Sequence, residues 1–194
     1  MGKNKFYLSL LFNYCYTATE LVELLKEEFG YDEAFNYHKE TDFDAALTKY
    51  CPNGIDIYFD NVGGKMLEAV LNHVNQYARI PLCGMISVYN TVWTERKGAR
   101  NLLNMVGKEV TMKGFLVGSY LNRFGDFVKE MEGYLKEGKV NSKRKVYNGI
   151  ESFQECFASI FTSSNIGKVV IQMTGNKAIW QEAEITSPRT NYPD

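Results

Sequence analysis

The stretch from Gly54 to Asn90 places the tightest constraint on what this chain can fold into. Ile55 to Phe59 is a short apolar run, bounded by Gly54 before it and by Gly63-Gly64 after it. Such a run between glycines reads as a strand buried on both faces of a parallel sheet. Met66, Leu67, Val70, Leu71 and Val74 then recur at intervals of three and four, which aligns them on one face of a helix from Gly63 to Val74. Ile80, Leu82 and Cys83 form a second short run that Gly84 stops. Strand, glycine turn, helix and strand make a βαβ unit. Ligands of open parallel sheets bind beyond the carboxyl ends of such strands. Asp60-Asn61 and Cys83 to Tyr89 fall at those two ends.

The flanking segments repeat the alternation. Thr19 to Phe29 reads as a helix capped by Thr19 and ended by Gly30, and Glu33 to Tyr37 as a short strand. Asp42 to Tyr50 reads as a helix capped by Thr41 or Asp42, and Pro52-Asn53-Gly54 as a turn. Past the βαβ unit, the pattern predicts a helix over Glu95 to Val106, a strand over Val110 to Val117 and a long helix over Leu121 to Glu137. A strand over Val140 to Val146, a helix over Ile150 to Phe161 and a strand over Lys168 to Gln172 follow. Gly175 to Asp194 has Pro188 and Pro193 and no periodicity, and reads as a loose tail. Alternating strands and helices define an α/β chain.

Composition excludes some functions. Net charge is −1 and there is no basic block, which disfavours a nucleic-acid partner. Cys15, Cys51, Cys83 and Cys156 are widely separated without a C-x-x-C pair, and His38 and His73 are the only imidazoles, so no metal site is expected. Free thiols of a reducing compartment fit this usage, which implies a cytoplasmic location. Lys3 and Lys5 ahead of Phe6 to Phe12 have the outline of a signal peptide, but Ser9 and Asn13 interrupt the apolar core. No run reaches the roughly 20 apolar residues of a membrane helix. The leader is instead expected to be a strand or a disordered lead-in.

No G-x-G-x-x-G occurs. A nucleotide-binding fold uses such a turn after its first strand to bring backbone amides against a diphosphate. Here the readable pattern begins with the helix that normally follows the second strand. The run Phe6 to Phe12 is expected to supply a surrogate strand, in the place of strand two ahead of the place of strand one.

Two stretches, Asp56-Ile57-Tyr58-Phe59-Asp60-Asn61-Val62-Gly63-Gly64 and Cys83-Gly84-Met85-Ile86-Ser87-Val88-Tyr89-Asn90, resemble the zinc-independent medium-chain reductases, in particular the plant NADP-dependent alkenal double-bond reductases. The resemblance runs from about Glu20 to Gln172, through Leu24-Leu25-Lys26, Ala34-Phe35-Asn36-Tyr37, Lys113-Gly114-Phe115 and Asn165-Ile166-Gly167-Lys168. It implies an incomplete Rossmann-type parallel sheet flanked by helices, lacking the front catalytic domain and the first βα unit. The division it implies is a leader over 1–18, a partial nucleotide-binding domain over 19–148, a return segment of the catalytic domain over 149–173 and an unmatched tail over 174–194.

The resemblance also implies a chemistry. Such enzymes use NADPH to reduce the α,β double bond of an unsaturated aldehyde or ketone, and they commonly pair as homodimers. Asn61 and Cys83 would lie against the cofactor at two strand ends. Tyr37 matches the tyrosine near the adenosine 2′-phosphate. Tyr89 matches the one near the nicotinamide ribose and the substrate carbonyl, where its phenol could hydrogen-bond developing charge or relay a proton. Phe115, Leu116 and Val117 match a strand end beside the nicotinamide amide, and Asn165 an asparagine near the cofactor. Thr19 stands where the family has a lysine for the 2′-phosphate, and Val88 where it has a glutamine. Two alternatives accompany this reading: a non-catalytic remnant that docks onto a full-length relative, and a quinone oxidoreductase of the same superfamily.

Simpler readings stand beside the functional ones. Cys83 is a small buried hydrophobe or a reactive thiol. Gly63-Gly64-Lys65 is a helix start packed closely on backbone or a weak phosphate loop. His73 is a half-buried structural histidine or a base. The aromatic stripe of Tyr120 to Gly138 is expected to be core. Glu23, Glu27 and Glu28 are expected on a solvated helix face.

Overall fold

The βαβ unit read from Gly54 onward organises the molecule. The computed structural model describes residues 7–9, 18–161 and 167–173. In chain order the elements are β1 (Tyr7–Ser9), α1 (Ala18–Glu27), α2 (Phe43–Tyr50), β2 (Ile55–Phe59), α3 (Gly64–His73), β3 (Val74–Leu82), α4 (Leu103–Gly107), β4 (Thr111–Gly114), α5 (Phe124–Lys136), β5 (Arg144–Asn148), α6 (Phe153–Phe161) and β6 (Lys168–Gln172). Short 3₁₀ turns at Ile86–Val88, Trp93–Glu95, Val117–Arg123 and Ile150–Ser152 punctuate them. Strands β1 to β4 form one sheet in that order, every pair parallel. Strands β5 and β6 form a separate parallel pair.

The core lies on this sheet. Leu47 of α2, Ile55 and Tyr58 of β2, Val70 and Leu71 of α3, and Val74 and Ile80 of β3 are fully buried and pack as one cluster. The α3 stripe places Met66, Leu67, Ala69, Val70 and Leu71 inward. Asp42 starts α2 by accepting the Ala45 N–H at 3.0 Å, the ordinary use of an aspartate ahead of a helix. His73, in the last turn of α3, places Nε2 3.2 Å from the Asp44 carboxylate and ties the two helices together, which fits its structural reading.

Several sequence expectations are corrected. Residues 33–37 form no strand and pair with none of the described strands, so their backbone lacks the ladder that would make them one. Thr19 lies inside α1 rather than at its cap. β3 begins at Val74, directly from α3, so it is longer than the run Ile80 to Cys83 suggests. Its register against β2 jumps from Ile55↔Val74 to Ile57↔Arg79, and Tyr77 in the intervening bulge has a φ of 63°. The helix expected over Glu95 to Val106 is confined to Leu103–Gly107. The strand after it spans only Thr111–Gly114. The long helix starts at Phe124, behind a 3₁₀ turn. None of its residues is buried, so its aromatic stripe is not core.

The leader contributes a strand, but not in the place expected for it. Tyr7↔Ile57 and Ser9↔Phe59 pair β1 directly with β2, on the side opposite β3. That is the place of strand one in a 3-2-1-4 order, not of strand two. Pairing there covers the inner edge of β2, which would otherwise present unpaired amides and carbonyls. Phe6, Leu10 to Phe12, Cys15, Asn165 and the segment 174–194 lie outside the described residues.

Candidate functional site

Asp60 ends β2 and fixes the local geometry. It is completely buried, and one carboxylate oxygen, Oδ1, accepts from the Tyr58 hydroxyl at 2.9 Å, the Val62 N–H at 2.8 Å and the Gly63 N–H at 2.9 Å. Its backbone carbonyl accepts the N–H groups of Cys83 and Gly84 at 2.8 and 3.1 Å. One residue thus binds the β2–α3 turn to the end of β3. Burial, reinforced by the Asp60 carboxylate, pushes the Tyr58 phenol well above the usual tyrosine range and keeps it a neutral donor.

The glycine pair after Asp60 serves close approach. Gly63 and Gly64 have φ of 66° and 56°, and a Cβ at either would lie 2.9 Å from Met85 Cγ or 2.7 Å from Ser87 Oγ. The loop after β3 therefore folds against this turn. The Ile86 N–H donates to the Asn61 carbonyl at 3.0 Å, and Ser87 Oγ donates to the Val62 carbonyl at 2.6 Å. Of the two readings of Gly63-Gly64-Lys65, this geometry supports the packed helix start.

The sequence-predicted residues fall in two groups. Asn61, Cys83 and Phe115 stand at the ends of β2, β3 and β4, which are neighbouring strands. The Phe115 N–H donates to the Leu82 carbonyl at 3.2 Å, and its ring meets Phe59 edge-on with centroids 5.9 Å apart. Cys83 is exposed, a correction to its reading as a buried hydrophobe: it stands one residue past the last paired position of β3, where none of the described residues covers it. Cys51 and Cys156 are buried, and burial raises the Cys51 thiol pKa. Tyr89 is 59% exposed and turns back over Gly84, its phenolic oxygen accepting the Met85 N–H at 3.1 Å. Leu116 and Val117 follow Phe115 with their side chains in solvent.

Tyr37 belongs to the second group. It lines a cleft of about 770 Å³ that runs along the first turn of α3. The floor is apolar, made by Phe43, Val62, Met66 and Val88. Lys65, Arg96, Lys97 and Arg100 stand on its rim with Glu68 and Glu95. An apolar floor under a largely cationic rim suits a flat ring system that carries anionic groups, as the adenosine end of a dinucleotide does. Of the residues here, the sequence places Asp60 at a strand end where ligands bind and Lys65 in a weak phosphate loop, but gives no signal for Lys97.

Comparison with known proteins gives this geometry a context. The family model described as zinc-binding dehydrogenase matches residues 17–133. A 2-alkenal reductase (NADP(+)-dependent) from Nicotiana tabacum is 46% identical over 157 residues, covering 81% of this chain and 45% of the relative. A (+)-pulegone reductase from Mentha piperita is 43% identical, with the same 81% and 45% coverage. The crystal structure of CurA in complex with NADPH from Vibrio vulnificus superposes with a TM-score of 0.69 at 37% identity, covering 81% of this chain and 48% of that one. The chain spans about half the length of the curated relatives it matches. Among the described residues no group of three or more His, Cys, Asp or Glu side chains could hold a metal ion. Among the same residues no helix is long and apolar enough to cross a membrane. The parallel sheet, the strand-end residues and the match over residues 17–133 together show that this chain belongs to the zinc-binding dehydrogenase family.

Proposed function

We propose that this chain binds NADPH across the carboxyl ends of β2, β3 and β4 and serves the reduction of the α,β double bond of 2-alkenals and enones. One observation carries the reading: Asn61, Cys83 and Phe115 occupy successive strand ends, with the Tyr89 phenol held over Gly84 beside them. The named activities of the tobacco and mint relatives support the same class of reaction. NADPH, when bound, supplies the hydride delivered to the β-carbon. The chain's residues position and polarise. Because the Tyr89 oxygen already accepts the Met85 N–H, its own O–H is left to donate to a substrate oxygen that gains charge. Asn61 and the backbone after Phe115 orient the nicotinamide end, and Tyr37 lies at the adenosine end. In this reading residues 19–148 are the nucleotide-binding part, residues 149–173 return to a catalytic domain, and the working form is a homodimer in the cytoplasm.

A second reading has its own observation. The apolar side chains of Phe153, Phe157, Ile160 and Phe161 on α6 are exposed. This uncovered face favours a non-catalytic chain that docks onto a longer relative.

Unfolding with and without saturating NADPH separates the two. A native-state ligand at a hundredfold excess over Kd stabilises by about 2.7 kcal/mol. A shift of that size, followed by enone-dependent oxidation of NADPH, supports the first reading. A shift without turnover keeps the cofactor site and favours the second. No shift removes the cofactor site. Where turnover is present, Tyr89→Phe is expected to lower it about tenfold or more while leaving NADPH affinity unchanged. Unchanged turnover takes Tyr89 out of the mechanism.

A further inference from the structure

We infer that Lys65 and Lys97 recognise the phosphate that distinguishes NADPH from NADH, supplying from the cleft rim the positive charge that Thr19 does not carry. This rests on the cofactor reading above. The row of strand ends, Asn61, Cys83, Phe115 and Tyr89, contains no cation, whereas the cleft gathers four. The phosphate-bearing end of a dinucleotide therefore belongs in the cleft, with the reactive end at Tyr89.

Within the cleft the cations are not equivalent. Arg100 is committed to Glu68, its Nε 3.0 Å from the carboxylate. Arg96 donates from Nε to the Thr91 carbonyl at 3.1 Å and lies over the Trp93 ring, 5.5 Å from its centroid, which fixes the loop that forms one wall. Lys65 and Lys97 have no carboxylate within ion-pair distance among the described residues. Lys65 is also misplaced for helix stability. It stands in the first turn of α3, where the helix dipole disfavours a cation, and no acidic residue shares that turn. Its charge does nothing for α3 and is available to an anion. Glu95, the other lining carboxylate, makes no ion pair among the described residues and opposes an anion from the same rim. Lys65 lies on the helix side of the cleft and Lys97 on the loop side. A phosphate dianion between two ammonium groups gains charge-assisted hydrogen bonds that the hydroxyl of NADH cannot provide in kind.

Equilibrium binding of NADPH, NADH, adenosine 2′,5′-bisphosphate and adenosine 5′-monophosphate to the whole chain tests this, read by calorimetry so that no turnover is needed. The expected result is tighter binding of NADPH than NADH and of the bisphosphate than the monophosphate. In the Lys65→Ala/Lys97→Ala chain both preferences should shrink about tenfold, with NADH affinity little changed. Added salt should weaken NADPH binding more than NADH binding. Glu95→Gln should move the preference the other way, toward NADPH. Both side chains are exposed, so the double variant is expected to fold, and its melting curve with no ligand checks that. Binding of both dinucleotides with a preference that the double variant leaves intact overturns the role of the two lysines and keeps the cofactor reading. Equal binding of NADPH and NADH to the unaltered chain overturns the phosphate recognition as well. Binding of neither overturns both.

Discussion

Helices α3 and α5 are both amphipathic, and their outcomes are opposite. α3 buries five side chains, while α5 buries none and leaves Phe124, Phe127, Tyr134 and Leu135 exposed. α3 joins two strands of the same sheet and packs against α2. α5 packs chiefly against the 3₁₀ turn that precedes it. The contrast extends to their surroundings. The segment from α2 to β3 holds nearly the whole core cluster, whereas Tyr147, Gly149, Cys156 and Ser159 are the buried residues of the segment after β4 among those described. An apolar stripe is enough to make a helix worth burying, but burial also needs a facing layer. Stability in this chain is accordingly concentrated around β2 and α3, and the strand ends of the proposed cofactor site are carried by that concentrated part.

The largest test of this contrast is a pair of truncations. Leu71→Ala, at a fully buried position, should cost about 3 kcal/mol in urea unfolding. Phe127→Ala, at a position 52% exposed, should stay within about 0.5 kcal/mol. Equal costs would mean that α5 is covered in solution and that the contrast is lost. Asp60→Ala removes the acceptor shared by Tyr58, Val62 and Gly63, and should cost about 2 kcal/mol while loosening the turn that holds Asn61. Hydrogen exchange at Val62 and Gly63 would report that loosening directly, and unaltered protection would show that Asp60 is not the tie.

The Tyr58 phenol gives a smaller and pH-specific effect. Its folded pKa is raised, so the fold keeps a proton that the unfolded chain releases near pH 10. Stability from this group is therefore complete below pH ~10. It declines above that by about 1.4 kcal/mol for each pH unit, for as long as the folded phenol stays protonated. Tyr58→Phe should flatten this slope, and an unchanged slope would assign it to other groups. The smallest perturbation is chemical labelling: Cys83 should react with a thiol reagent while Cys51 and Cys156 stay protected in the native chain. Reactivity of Cys51 equal to that of Cys83 would show that the α2–β3 core opens as readily as the surface.

Much of the first half was legible because its signals are local. The glycines around Ile55 to Phe59, the three-and-four spacing from Met66 to Leu71 and the aspartate ahead of α2 each act within a few residues. The strand-end residues Asn61 and Cys83 were legible for the same reason, since they follow directly from where each strand stops. Residues 33–37 carry strand-like composition without a described neighbour to pair with, and sequence pattern does not report a neighbour. The exposure of Cys83 and of the α5 stripe was hidden in the same way: each looked apolar, and whether a second layer meets it is not a local property.

The sequence by itself determined the parallel βαβ unit, the turn chemistry at Asp60 to Gly64 and the family to which the chain belongs, because periodicity, glycine placement and motif order are properties of neighbouring residues. Only the tertiary structure decided that β1 pairs with β2, that Tyr89 turns back onto the Met85 amide, and that Tyr37, Lys65 and Lys97 border one cleft. These depend on which segments, far apart along the chain, come to share a sheet edge or a cavity wall. Strand pairing, packing and charge acting through space set those neighbours.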